Sequence, residues 1–217
     1  MQNPLSDMRL SYTQGGIDIQ EMAEDPIAQF QIWMQQAMDA GPPDWFECNA
    51  MTLTTTGADG TISSRIVLLK NIVAGCLRFF TNYESHKGRQ IAETGRVALV
   101  FFWPHVERQV RVIGTASKIP RDESIAYFDS RPIDSRLGAI ASPQSRQVEG
   151  RDDLEERMRQ ARQQHADPAS LVCPDHWGGY DVKPKSMEFW QGRPSRLHDR
   201  LVYEYRGDTW QIVRIAP

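Results

Sequence analysis

Met51-Thr-Leu-Thr-Thr-Thr-Gly57-Ala-Asp-Gly60-Thr-Ile-Ser-Ser-Arg65-Ile-Val-Leu-Leu-Lys70 holds two runs dense in β-branched residues, 51–56 and 61–70, around an Ala58-Asp59-Gly60 turn. β-Branched side chains fit a pleated sheet and Asp-Gly suits a tight hairpin, so the stretch reads as two antiparallel strands. Residues 77–81, 96–103 and 109–117 read as further strands. One helix interrupts them, over 85–94, with Ser85 as its cap and Gly95 as its stop. Strands joined mostly by short turns predict an α+β chain with a mostly antiparallel sheet, a barrel or sandwich and not a doubly wound sheet.

Upstream, residues 1–24 are polar, lack a clean period and carry Gly15-Gly16; they read as a flexible arm. Asp25-Pro26 is an N-cap followed by proline at the first helical position. Ile27, Phe30, Met34 and Ala37 recur at helical spacing until Gly41-Pro42-Pro43 stops the helix. Downstream, 121–129 reads as a helix, and Pro132 starts a second because the residue before a proline avoids helical geometry. A third covers 152–164, with Asp153/Arg157 and Glu155/Arg159 at supportive spacing. Strands return at 186–191, 201–205 and 209–215, the last two joined by Arg206-Gly207-Asp208. The expected organisation is an arm, 1–24, and one domain, 25–217, ending in a C-terminal segment, 174–217.

With 217 residues, 40% hydrophobic and 24% charged, the chain can bury a real core. The balance of 25 basic and 28 acidic residues, net −3, gives no overall attraction to nucleic acid or an anionic membrane. Any bound anion must therefore be held by a local cluster. Cys48, Cys76 and Cys173 are far apart and have no metal-ligand spacing, so they read as small hydrophobes in a reducing compartment, and no metal is expected. The longest apolar run, 97–103, is far short of the ~20 residues that span a bilayer, and no secretory signal is visible. The expectation is a cytoplasmic protein.

Four segments carry candidate chemistry. Arg65 and Lys70 bracket an apolar strand; five positions apart, they point to opposite faces and serve two anions, or one anion and one structural carboxylate. The plainer reading is two cations snorkelling from strand ends. Ser85-His86-Lys87 opens a helix, where free N–H groups and the dipole favour an anion, although serine caps are common. Tyr127, Arg131 and Ser135 bring a phenol, a guanidinium and a hydroxyl to a helix junction, a set suited to a phosphate monoester, or else an ordinary solvated junction. Arg196-Leu-His198-Asp199-Arg200 is a dense polar knot between apolar strands, either a working site or an aspartate pairing with a neighbouring arginine. There is no serine elbow, GxGxxG, P-loop or metal motif, so the chemistry is expected to be borne by a cofactor.

RIVLLK at 65–70, FFTNYES-K at 79–87, FFWPHVERQVRVIG at 101–114, YF-SRP--S at 127–135, SPQSR at 142–146, FWQGRPSRLHDR at 189–200 and the C-terminal IAP together resemble the pyridoxamine 5′-phosphate oxidase family. The likeness covers roughly residues 8–217, and the run at 189–200 is its most specific part. It implies an FMN-binding split β-barrel with flanking helices. It also implies a homodimer with FMN at the subunit interface, residues 174–217 serving dimerisation and the active site. The implied activity is an oxidase that converts pyridoxamine or pyridoxine 5′-phosphate to pyridoxal 5′-phosphate in vitamin B6 metabolism, reducing O₂ to H₂O₂.

Carried over position by position, the resemblance gives Arg65 and Lys87 to the FMN phosphate, with Ser145 and the Phe80-Thr81 region assisting. Ile66, Val67, Leu68, Leu69, Lys70, His86, Gln109, Gln144, Trp190 and Arg200 complete the implied cofactor set. Lys70, Tyr127, Arg131 and Ser135 grip the substrate phosphate. Arg196, Leu197 and His198 lie against the substrate ring, with Arg196 and His198 as the catalytic pair, and Arg9 and Tyr12 on the arm close over the site. His86, Phe80 and Leu10-Ser11 depart from the family pattern, which more often has Arg, Tyr and a more charged arm. Two other readings remain open: a phenazine-biosynthesis type of FMN oxidase on the same scaffold, and a non-catalytic binder of flavin or pyridoxal phosphate.

Overall fold

A computed structural model describes residues 11–217. Five α-helices are present among them: α1 (Pro26–Asp39), α2 (His86–Thr94), α3 (Arg121–Ser130), α4 (Ile133–Ala141) and α5 (Arg151–Gln164). The nine strands are β1 (Ala50–Thr56), β2 (Ile62–Leu68), β3 (Asn71–Val73), β4 (Cys76–Asn82), β5 (Arg96–Trp103), β6 (Arg108–Lys118), β7 (Trp177–Gln191), β8 (Asp199–Arg206) and β9 (Thr209–Arg214). They are ordered β2-β1-β5-β6-β7-β4-β3, with β8 on β7 and β9 on β8. The pairs β3–β4, β7–β8 and β8–β9 are antiparallel across short connections, as predicted, and β4 and β7, far apart in sequence, are antiparallel too.

The chain divides into two compact units. One consists, among the described residues, of 11–53, Ala98–Gly114 and Pro184–Pro217. Asp25 caps its α1 by accepting from the Ile27 and Ala28 N–H groups. This helix buries Ile27, Phe30, Trp33 and Ala37. Trp33, not Met34, is thus the third core position, because its ring packs edge-on to Phe189 at 5.1 Å. Phe30, Phe101 and Trp103 form a buried aromatic group beside it.

The other unit is Thr54–Val97 with Thr115–Lys183. In it β4 pairs with the first half of β7, from Leu77↔Val182 to Asn82↔Trp177. Arg78 is buried on β4 and is neutralised by Asp181, at 2.7 and 2.8 Å, and by Glu123. The α4–α5 pair packs Leu137 and Ala161 together with Leu171. On α5 the expected Asp153–Arg157 pair forms at 2.9 Å, whereas Arg159 turns to Glu156 and Glu155 is taken by Arg151. Among the described residues, no helix is long and apolar enough to cross a membrane.

Candidate active site

The second unit holds a cavity of about 770 Å³. Its walls include the β2 segment Arg65–Leu68, then Lys70, the β4 end at Phe80, Thr81 and Asn82, and the start of α2 at His86 and Lys87. The α3–α4 junction adds Tyr127, Arg131 and Ser135, and the loop after α4 adds Ser142, Gln144 and Ser145. A volume of this order suits a drug-sized ligand.

Local chemistry explains how each basic group arrives there. Ser85 caps α2 by accepting from the Gly88 N–H, and Gly95 ends the helix in the left-handed region, at φ 65°. This fixes Lys87 in the first turn, 9% exposed, where the N–H groups have no partner within the helix. Lys87 Nζ donates to Gln144 Oε1 at 2.8 Å and to Ser85 Oγ at 3.3 Å. Burial, and then the charge of Arg65, brings its pKa down to about 8. Arg65 donates to Thr55 Oγ1 at 2.8 Å and to Ser63 Oγ. Burial also lowers the pKa of Arg65. Thr81 Oγ1 donates to the same Gln144 oxygen at 3.3 Å, so Gln144 joins β4 to α2 across the cavity floor.

Arg131 stands at the junction as the sequence predicts. Pro132 forbids it a helical conformation, and it ends α3 extended, at φ −78° and ψ 151°. Its guanidinium lies 4.7 Å over the Trp177 ring, and its Nη1 is buried with no hydrogen-bond partner among the described residues. Burial lowers the pKa of this group as well. Tyr127 stacks on Phe80 at 3.8 Å, with Trp177 parallel beyond them. Burial pushes its phenol pKa up.

The parity argument for Arg65 and Lys70 fails. β2 ends at Leu68, so the alternation stops before Lys70, and both cations line one cavity. Leu69 is buried and is not part of the wall. Trp177, Asn82, Gly138, Ala139 and Ser142 line the cavity without having been read as site residues. For Trp177 the signal is tertiary, because it reaches the site through its register opposite Asn82.

Tyr12, Gln109, Trp190, Arg196, Leu197, His198 and Arg200 belong to the first unit. The His198 ring lies 4.7 Å from Trp190, and the Tyr12 ring meets both edge-on at 5.5 Å. The Arg193 N–H donates to His198 Nδ1 at 3.1 Å, which puts the proton of the neutral ring on Nε2. Ser195 and Arg196 both adopt positive φ, 58° and 62°, a costly conformation for residues other than glycine. Arg200 makes a two-pronged pair with Glu188 at 2.9 and 3.0 Å. Asp199 is taken by Arg214 and, at 3.7 Å, by Arg193. Leu197 is exposed, Gln109 is half-buried on β6, and Arg9 lies outside the described residues.

A family model described as Pyridoxamine 5′-phosphate oxidase matches residues 34–165, and one described as Pyridoxine 5′-phosphate oxidase C-terminal dimerisation region matches residues 177–217. The chain belongs to the pyridoxamine 5′-phosphate oxidase family. Within that family it is 51% identical over 214 residues to the pyridoxine/pyridoxamine 5′-phosphate oxidase of Cupriavidus pinatubonensis, covering 98% of this chain and 99% of the relative. It is 46% identical over 217 residues to that of Rhodopirellula baltica, covering 98% and 96%. Among solved structures, PhzG from Burkholderia lata 383, in complex with tetrahydrophenazine-1-carboxylic acid, superposes with a TM-score of 0.84 at 28% identity over 94% of this chain and 100% of PhzG. A pyridoxamine 5′-phosphate oxidase-related, FMN binding protein from Nostoc punctiforme shares the fold, with a TM-score of 0.69 at 16% identity over 91% and 99% of the two chains. The oxidase family and these neighbours give the chain the FMN-binding split β-barrel class, α+β and mostly antiparallel, that the motifs predict.

Proposed function

We propose that this protein is an FMN-dependent oxidase that converts pyridoxamine or pyridoxine 5′-phosphate to pyridoxal 5′-phosphate and reduces O₂ to H₂O₂. The observation that carries the reading is one cavity lined by four cations, Arg65 and Lys87 close enough to interact, with Lys70 and Arg131 elsewhere on the wall, in which Arg131 Nη1 is buried without a hydrogen-bond partner among the described residues. Two phosphates, one on the cofactor and one on the substrate, match this concentration of positive charge.

The residues present fit FMN. Lys87 is buried against neutral oxygens at a helix N-terminus, a place where a phosphate restores the charge balance. Ile66, Val67 and Leu68 offer an apolar wall for a ring system. Bound there, FMN supplies the two-electron acceptor that O₂ later reoxidises. The chain's own work is positional. Arg65 and Lys87, with Gln144, Ser145 and Thr81, hold the cofactor phosphate; Lys70, Tyr127, Arg131 and Ser135 hold the substrate phosphate. Arg196 and His198 orient the substrate carbon that is oxidised, and with the amine substrate the resulting imine is hydrolysed, releasing ammonia. The working unit in this reading is a homodimer with the cofactor at the subunit interface. Trp190, Arg196, His198 and Arg200 lie within the segment that matches the family's dimerisation region.

The test is an absorption spectrum of the purified protein, followed by peroxide release. A flavin spectrum and peroxide on adding pyridoxamine 5′-phosphate are expected. Turnover of a reduced phenazine carboxylate instead would move the chain to the phenazine branch, and flavin retention with no oxidase activity would make it a binder. Arg196→Ala and His198→Ala are each expected to stay yellow while losing turnover.

A further inference from the structure

Glu107 does not line that cavity, yet it joins two parts of the chain that the proposed reaction needs close together. It ends the short turn Pro104–Val106 in the left-handed region, at φ 55°. Its carbonyl accepts from the Gly192 N–H at 2.8 Å and from Gln191 Nε2 at 3.2 Å, tying it to the head of the Gly192–Asp199 loop. Its carboxylate faces the other way in the hydrogen-bond network: Oε2 accepts from the Thr13 and Gln14 N–H groups at 2.9 Å each, and Oε1 accepts from Thr13 at 3.2 Å. These partners are 94 and 93 residues away in sequence. Immediately before them, Tyr12 lays its ring edge-on to His198 and Trp190. A Cβ at position 192 would stand 2.6 Å from Tyr12 Cγ, so only glycine there leaves room for the ring. Farther along the arm, Asp199 Oδ2 accepts from the Ile17 N–H at 3.2 Å, a second fastening.

We infer that Glu107 is a positioning residue: its carboxylate clasps the Thr13 and Gln14 amides and thereby holds the Tyr12 ring over His198 and Trp190, so that the arm forms one wall of the substrate position. Two backbone N–H groups on one carboxylate are charge-assisted bonds, stronger than the neutral contacts that otherwise hold an arm of this kind. The inference rests on the oxidase reading for its consequence, but the clasp itself does not.

The experiment uses full-length protein labelled with 3-fluorotyrosine. The Tyr12 resonance is assigned by its loss in Tyr12→Phe. In Glu107→Ala it should move toward the position of free tyrosine, and the Thr13 and Gln14 amides should exchange about tenfold faster or more, while the Ile17 amide, held by Asp199, changes less. Gly192→Ala should displace the same ring with the Glu107 bonds kept. Alanine at 107 carries the same left-handed backbone cost as glutamate, and Glu107→Gln, which keeps one acceptor, should fall between. In turnover, Glu107→Ala should raise KM for pyridoxamine 5′-phosphate about fivefold or more with kcat little changed, and should add nothing to Tyr12→Ala in the double variant. An unmoved Tyr12 resonance in Glu107→Ala, or additive effects in the double variant, overturns the inference. If no B6 compound is oxidised, the functional reading fails while the resonance and the exchange rates still decide the clasp.

Discussion

Lys87 and Arg131, in the unit that holds the cavity, face a hydroxyl, an amide oxygen and an indole ring, whereas Arg193, Arg200 and Arg214, in the other unit, each reach a carboxylate. Both regions are rich in cations, and both were picked out by the sequence for that reason. The difference lies in what each charge has met by the time the chain is folded. A guanidinium paired with a carboxylate is already compensated and acts as a brace. A cation surrounded by neutral groups keeps a charge that an arriving anion can satisfy, and burial makes that satisfaction worth more. By this measure we propose Arg131 and Lys87 as ligand residues, whereas Arg200 is braced by Glu188.

The comparison is broken most directly at Arg131. Arg131→Ala is expected to raise KM for the phosphorylated substrate by roughly ten- to a hundredfold, since a charge-assisted bond contributes about 1.5–3 kcal/mol. The melting temperature of the ligand-free protein should fall little, because Nη1 has no hydrogen bond to lose among the described residues and the change removes chiefly the stacking on Trp177. Steady-state kinetics beside a thermal melt give both numbers, and an unchanged KM places the substrate phosphate elsewhere.

Arg200→Ala should show the opposite profile. Glu188, with its side chain 12% exposed, loses its two-pronged partner and keeps, among the described residues, only Arg111 at 3.1 Å. A stability loss of about 1–2 kcal/mol, seen as a melting temperature lower by a few degrees, is expected. An unchanged melting temperature together with weakened flavin binding would move Arg200 across to the ligand group.

The gentlest probe is pH. Burial and the charge of Arg65 bring the pKa of Lys87 to about 8 in the ligand-free protein, below its ordinary value. As pH rises through that value the cavity loses one positive charge, so FMN affinity, read by fluorescence titration of the apoprotein, should weaken. For stability the sign is the reverse. Between about 8 and the ordinary lysine pKa of about 10.4, the unfolded chain binds more protons than the folded one, so this residue makes the ligand-free protein more stable as pH rises through that window. Lys87→Met should flatten both trends.

How much of this was legible in the sequence depends on the range of the interaction that decides each feature. The α2 boundaries were, because Ser85 and Gly95 act on groups within four residues of themselves. The extended turn at Arg131 was, because Pro132 imposes it on its immediate neighbour. The first half of β7 was not, and neither was the short β3. Gly178 and Gly179 weaken any strand signal, yet they are required where they lie, since a Cβ at 178 would fall 2.1 Å from the Tyr83 hydroxyl and one at 179 would fall 2.5 Å from Ile119. The strand they belong to is stabilised by its pairing with β4, about a hundred residues earlier, not by its own composition.

From the chain alone came the helix caps, the hairpin, the predominance of antiparallel strands and the motifs that mark the oxidase family. All of these are set by side chains and backbone groups that are neighbours in sequence. Which of these cations meet a carboxylate and which meet neutral groups was decided only in three dimensions. Lys87 meets Gln144 across 57 residues, Arg131 meets the ring of Trp177, and Asp199 is claimed by Arg214 and not by its neighbour Arg200. Charge compensation depends on distances of a few ångströms between segments that the sequence separates widely, and only packing sets those distances.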